Sequence, residues 1–420
     1  MTAAASRPVL LRSAVLSVID QAWLSLLNLA LGLILIRLTA KESYGVYAQL
    51  YVAGIFAATI AEALITNPLT TLAARAQDGE RAALITHLRR FQGRLSTAVG
   101  ILFGIGCAGV AVWADIPQPA WLALGFGLYV KTNAAREYRR SVLFVMGSTP
   151  QVLRTDVQYG VAVLAGTGLL VWMGTLFLPA VFGMLALANV VALMGTRLPQ
   201  AAATDAAPDY REAVAQAWKR GRLGLPGAVL AWIINYSYLY VAAAWLGATA
   251  TADLNASRLL LMPIAMTVMA WSRVARPMIG RQLAQNDSRG LFRLLLTSTA
   301  AVEAVTLAYV AVLWLALPWL QQHMLGEKYA NVQPLVMGWG LYFAINAARS
   351  IGTAALMSAD RYGATLAVAV VSLTLTLVSM NLTIPSYGAV GAIIALTIVE
   401  TVSLVLIWSA WRRSMPKVAT

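Results

Sequence analysis

Apolar runs of about 20 residues, each closed by a charge, a proline or a glycine, recur along the whole chain. A helix rising 1.5 Å per residue needs roughly that many to cross bilayer hydrocarbon. The pattern predicts twelve helices, at 13–36, 44–67 and 93–113, then a fourth that starts near Pro119 and runs on into the basic stretch Lys131–Arg140. The remaining eight fall at 151–173, 176–195, 223–246, 252–276, 293–317, 333–357, 363–384 and 388–411. The one weakly apolar stretch, Arg197–Arg222, is too short to bury a core of its own. The expected architecture is therefore an all-α polytopic membrane protein of twelve transmembrane helices in two six-helix bundles. Residues 1–196 form the N-terminal bundle, 197–222 a cytoplasmic linker and 223–420 the C-terminal bundle.

The two bundles are expected to be copies of one plan. Leu38 and Leu246 each close an apolar helix 208 residues apart, and Pro68 and Pro277 end the following ones 209 apart. Inside that frame Asn28 corresponds to Asn235, Gln49 to Arg258 and Gly54 to Pro263. Chance identity is common in apolar segments, but a nearly constant offset over several matches marks a duplicated architecture.

Composition agrees with a membrane protein: 60% of residues are hydrophobic and 11% charged, against about 25% charged in soluble proteins. The net charge of +14 reads as orientation signal and anionic-lipid contact rather than as a nucleic-acid footprint. With both termini cytoplasmic, 27 of the 31 Lys and Arg residues fall on the cytoplasmic side, and only Arg37, Lys41, Arg258 and Lys328 fall elsewhere. Adding or dropping one helix would put the later clusters on the wrong side. The single cysteine, Cys107, excludes an intrachain disulfide, and His87 and His323 lack acidic or thiol neighbours at ligand spacing, so no metal site is expected. No Walker loop, Ser-His-Asp set or paired catalytic carboxylates can be assembled; neither enzyme activity nor a cofactor is expected.

Polar groups inside apolar helices are expensive, and they usually face protein or a wet cavity. Helices 1, 2, 7 and 8, the pairs related by the repeat, carry most of them: Asp20, Gln21 and Asn28, then Gln49 and Glu62, Asn235 with Tyr236, Tyr238 and Tyr240, and Asn255 with Arg258. Gly54 and Pro263 are expected to interrupt helices 2 and 8 at matching places, as substrate sites between repeats often require. Two readings stand for several residues. Asn28 and Asn235 either line a substrate path or pack against neighbouring helices, and Arg258 either faces a cavity or snorkels to the interface. Asp20 is either a proton- or cation-coupling carboxylate, together with Glu303, or the partner of an arginine. Tyr236 and Tyr240 share a helix side. Arg136, Arg139 and Arg140 stand three and four residues apart on one helical face, either solvated or able to gather a phosphorylated lipid at the inner leaflet.

Four short segments carry a family resemblance. Leu38-Thr-Ala-Lys-Glu-Ser-Tyr-Gly-Val-Tyr47 is similar to the Gly-Pro-Glu-(Tyr/Phe)-Gly turn of bacterial polysaccharide flippases, with Thr39-Ala40 in place of Gly-Pro. Gly326-Glu-Lys-Tyr-Ala330 resembles their Gly-x-x-Tyr element, Ala359-Asp-Arg-Tyr-Gly363 their basic connection between helices 10 and 11, and Arg136-Glu-Tyr-Arg-Arg140 the basic end of their fourth helix. The resemblance implies a bacterial inner-membrane protein of the multidrug/oligosaccharidyl-lipid/polysaccharide exporter superfamily. Such a protein moves a polyprenyl-diphosphate-linked oligosaccharide outward by alternating access, for capsule, exopolysaccharide or O-antigen synthesis, with glycan polymerase and export machinery as partners. Arg258, Asn28, Asn235, Gln49, Tyr236 and Tyr240 would then line the path of a pyrophosphate and its sugars. The alternative is a cation-coupled multidrug extruder of the same fold, which needs membrane-embedded carboxylates such as Asp20 and Glu303.

Overall fold

The computed structural model describes residues 7–195, 209–285 and 287–414, so residues 197–208 of the expected linker, together with Lys417, lie outside the described residues. Among the described residues every regular element is helical. The first seven α-helices are α1 (Arg7–Leu38), α2 (Lys41–Ala61), α3 (Asn67–Ala73), α4 (Asp78–Trp113), α5 (Pro119–Val145), α6 (Thr149–Trp172) and α7 (Leu178–Met194). They are followed by α8 (Tyr210–Leu246), α9 (Ala248–Leu259), α10 (Met262–Ala284), α11 (Ser288–Leu320), α12 (Gln333–Ser358) and α13 (Tyr362–Ser414). Among these residues six helical stretches are long and apolar enough to cross a membrane, and a bent seventh joins them if Ala248–Leu259 and Met262–Ser272 count as one span. Large apolar side chains such as Leu102, Ile105, Leu296, Leu315 and Leu382 stand exposed on them, which suits hydrocarbon rather than water.

Among the described residues the thirteen helical segments differ from the twelve expected helices at three places, each next to a proline or a glycine. The second expected helix runs on from α2 to α3 through a π-helical turn, Glu62–Thr66, just before Pro68, with helical backbone angles throughout. The eighth is split at Leu260–Leu261 directly before Pro263, with a bend of 49° between α9 and α10. Proline has no N–H to give and its ring crowds the carbonyl four residues earlier, so the break falls on its N-terminal side. Gly54, by contrast, lies inside unbroken α2, where a Cβ would sit 2.8 Å from Cε1 of Tyr129. Of the expected pair of matched interruptions, Gly54 and Pro263, only Pro263 thus stands at a break.

The eleventh and twelfth expected helices run on as α13, yet they are not one rod. Ser372 and Ser403, 31 residues apart, bring their hydroxyl oxygens to 2.7 Å, whereas a straight helix would separate them by about 46 Å. The chain therefore doubles back at Gly388, whose φ of 59° and ψ of −142° fall in a region that essentially only glycine occupies. Thr383 closes the turn by donating to the Gly391 carbonyl at 2.7 Å. Gly388→Ala is expected to cost about 1–3 kcal/mol through backbone strain, read as a lower Tm of the detergent-purified protein; an unchanged Tm would show that the turn tolerates a side chain.

Two compact units divide the chain, Met1–Leu31 with Leu50–Val229 and Gly32–Gln49 with Leu230–Thr420. The core of the first contains Leu64, Ile65, Leu69, Leu88, Tyr138 and Val142. In it α4 and α5 cross on small residues: a Cβ at Gly100 would stand 2.7 Å from the Gly127 carbonyl oxygen, so the backbones meet nearly directly. The core of the second contains Ile279, Leu291, Leu295, Ile351, Ile407 and Trp411.

Candidate functional site

In the second unit, α8, the end of α9 and α12 together place one cation in an aromatic cage. Arg258 lies in the last turn of α9, just before the bend, where the helix ends and its side chain can turn back to α8. Its Nη1 donates to the Tyr238 hydroxyl at 3.0 Å and to the Asn235 carbonyl at 3.4 Å. The guanidinium carbon stands 5.3 Å from the ring centre of Tyr236 and 5.4 Å from those of Tyr238 and Trp339. Tyr238 and Trp339 are fully buried, and the guanidinium Nε is buried with no protein partner. Arg258 forms no ion pair among the described residues. A charge held by ring quadrupoles and hydroxyl dipoles keeps most of its attraction for an anion. The guanidinium is turned into the unit, so the snorkelling reading of Arg258 does not describe its side chain.

The surrounding polar residues fall into place around that cage. Tyr240 donates to the Gln49 carbonyl at 2.8 Å, and Gln49 Nε2 donates to Thr251 at 3.2 Å. Asn235 spends its amide on the Ala231 carbonyl of its own helix at 2.7 Å. Gln49, Asn235, Tyr236, Tyr240 and Arg258 thus belong to one unit, while Asn28 belongs to the first, where its Oδ1 accepts from Tyr51 at 3.4 Å. The bend beside Arg258 frees the Leu260 carbonyl, which accepts from Tyr309 on α11 at 2.7 Å.

Near this bend the tip of the α1–α2 hairpin is fastened to α9. Lys41 pairs with Asp253 at 2.7 Å, Asn255 donates to the Tyr44 hydroxyl at 2.8 Å, and Lys328 donates to the carbonyls of Thr39 and Arg37 at 2.6 and 3.2 Å. Gly45 lies against the Ala248 carbonyl so closely that any Cβ there would overlap it. Beyond the end of α11, burial pushes the Tyr329 phenol up from its usual range, and Asp253 and Glu42 push the same way.

The first unit gathers five charges. Asp156, fully buried on α6, accepts from Arg136 at 2.8 Å and from Arg140 at 2.6 Å. Arg140 also reaches Glu137 at 2.7 Å and Asp20 at 3.1 Å, and Arg136 reaches Glu137 at 2.9 Å. Of the face read as either solvated or lipid-gathering, Arg136 and Arg140 are drawn inward by buried carboxylates, and Arg139 donates to the Leu193 carbonyl. Asp20 is thus paired with Arg140. In the second unit Glu303 has a buried Oε1 without a partner. Among the described residues no three His, Cys, Asp or Glu side chains stand together as metal ligands.

No protein-family model matches the chain, and no curated protein matches it. Solved structures do. A multidrug resistance MATE family transporter of the MOP superfamily, in its inward-facing conformation, aligns over 94% of this chain and 96% of its own with a TM-score of 0.76 and 15% identity. The lipid II flippase MurJ, in an inward closed conformation, aligns over 95% and 87% with a TM-score of 0.74 and 10% identity. A MOP superfamily transporter from Pyrococcus furiosus, described as having a binding pocket of reverse polarity, aligns over 97% and 95% with a TM-score of 0.62 and 13% identity.

The chain shares the fold of these three solved structures. Within that fold, sequence reasoning missed three things that the structure supplies. Trp339 closes the Arg258 cage from α12, and in the sequence it is one of 13 tryptophans with nothing to mark it. Asp156 sits near the start of α6, where a lone acid beside Arg154 reads as a helix end. Glu400 accepts from Arg349, from Asn346 at 2.9 Å and from Tyr342 at 3.4 Å, partners on α12 that no spacing in the sequence foretells.

Proposed function

We propose that this protein is a flippase for a polyprenyl-diphosphate-linked oligosaccharide, with twelve membrane passes in two six-pass halves and both termini cytoplasmic. The observation that carries this reading is the Arg258 cage, a cation held by Tyr236, Tyr238 and Trp339 with no carboxylate to neutralise it. An unneutralised guanidinium in an apolar unit attracts a diphosphate, and its planar fork matches phosphate oxygens two at a time. Tyrosines beside it offer faces for sugar rings and hydroxyls for their hydrogen bonds. The likeness to the lipid II flippase MurJ supports a lipid-linked substrate. The carrier's polyprenyl tail stays in lipid, so only the head group needs a polar path.

A second reading, a cation-coupled multidrug extruder, draws on the MATE likeness and on the unpartnered Oε1 of Glu303. Against it, Asp20, Glu137 and Asp156 are each already engaged by Arg136 or Arg140, with one negative charge in excess over the two guanidiniums. Disrupting the gene in its host separates the two. Loss of surface glycan with lipid-linked oligosaccharide accumulating on the inner leaflet and unchanged drug sensitivity is the expected outcome. Persistent surface glycan with raised dye accumulation would give the extruder.

A further inference from the structure

The second unit carries another cationic chamber that the Arg258 cage does not explain. Between α10 and α12 lies a cavity of about 390 Å³, lined among others by Ser272 and Arg276 from α10 and by Arg349, Ser350 and Thr353 from α12. That size falls within the roughly 300–1,000 Å³ of small-molecule sites. Two guanidiniums and three hydroxyls face one space there. Arg349 is held at one edge, with its Nε on Glu400 and its Nη1 3.4 Å from Thr353 Oγ1. Its Nη2 has no partner among the described residues, and Arg276, exposed on α10, forms no ion pair among them. Glu400 is the one acid bound to the set, so the chamber keeps an excess of one positive charge.

The chamber is joined to the cage by a stripe along α12. Trp339, Tyr342, Asn346, Arg349 and Thr353 follow one another at alternating intervals of three and four residues, which places them on one helix face. Trp339 touches Arg258 at one end, and Arg349 stands ten residues on, about 15 Å along the axis. Glu400 lies against the middle, accepting from Tyr342, Asn346 and Arg349 together.

We propose that Arg276 and Arg349 form a second anion station, which takes the diphosphate of a prenyl lipid before or after Arg258 does, and that Glu400 holds Arg349 in place while the station is empty. This rests on the flippase reading and adds to it a path of two cations linked by one polar helix face. A diphosphate bridging Arg276 and Arg349 replaces the Glu400 contact with two charge-assisted ones, and Asn346 and Tyr342 remain to satisfy Glu400. Handing the anion on restores the Arg349–Glu400 pair, so neither charge is left bare at any stage.

The test is binding of a fluorescent short-chain prenyl diphosphate to the full-length protein in nanodiscs, with inorganic diphosphate and phosphatidylglycerol as competitors. Arg276→Gln removes an exposed side chain and leaves the fold intact; the double variant Arg349→Gln with Glu400→Gln removes the buried pair together and leaves no stranded charge. Each is expected to weaken binding tenfold or more, with inorganic diphosphate competing and phosphatidylglycerol not. Wild-type affinity in both variants, or competition by phosphatidylglycerol as strong as by the diphosphate, overturns the station. Absence of prenyl diphosphate binding to the wild-type protein overturns the flippase reading itself, so the two failures are told apart.

Discussion

Arg258→Lys loses most transport while the protein still reaches the membrane at wild-type level. Lysine keeps the charge, but it lacks the planar fork that lies among Tyr236, Tyr238 and Trp339 and the Nη1 that reaches Tyr238 and Asn235 together. Arg258→Ala loses the charge as well and leaves the Tyr238 hydroxyl without that donor. In vesicles, flipping of a fluorescent prenyl-diphosphate oligosaccharide is expected to fall at least about tenfold for both, equal to roughly 1.4 kcal/mol of lost interaction. Full flipping by the lysine variant would reduce the cage to a packing device and would remove the observation on which the proposed function rests.

Asp156→Ala should have the larger effect on the folded protein. It strips Arg136 and Arg140 of their shared acceptor inside the first unit and leaves two guanidiniums with only Glu137 and Asp20 between them. Breaking one side of a buried ion pair costs about 3–5 kcal/mol, whereas replacing both sides with apolar residues of similar volume is often neutral. The single variant is expected to fail to accumulate as monodisperse protein on fluorescence-detected size exclusion, and Asp156→Leu combined with Arg136→Met to recover much of it. Equal accumulation of Asp156→Ala and the parent would mean that the cluster is solvated rather than sealed.

The helices were legible because hydrophobic periodicity is a local property: α1 ends at Leu38 and α8 at Leu246, where the apolar runs stop. Arg258, Asn235, Tyr236, Tyr240 and Gln49 were legible as candidates because polar groups in apolar helices must be satisfied somewhere. What the sequence did not carry was the partner of each. Trp339 and Arg258 are 81 residues apart, Asp20 and Arg140 are 120, and nothing in the spacing of either pair foretells contact. The basic run Arg136–Arg140 shows why: its spacing dictates one helical face, but whether that face meets water, lipid phosphate or Asp156 is decided by α6, which arrives later in the chain. The break between α9 and α10 fell where proline chemistry requires, while Gly54, read as an interruption of the second helix, proved to be a place where α2 makes room for Tyr129.

The doubling back of α13 at Gly388 bears on how the chain is made. From Gly363 to Val399 there is no charged residue, so the first arm, the turn and the start of the second arm carry no fixed charge into lipid. No charge has to be dragged through hydrocarbon with the turn. The first fixed charge after the turn is Glu400, within the second arm, which finds Asn346 and Arg349 on α12, a helix already synthesised by then. Arg412 and Arg413 follow and hold the second arm at its far end. The acid that closes the α12 stripe is thus synthesised only after its partners on α12.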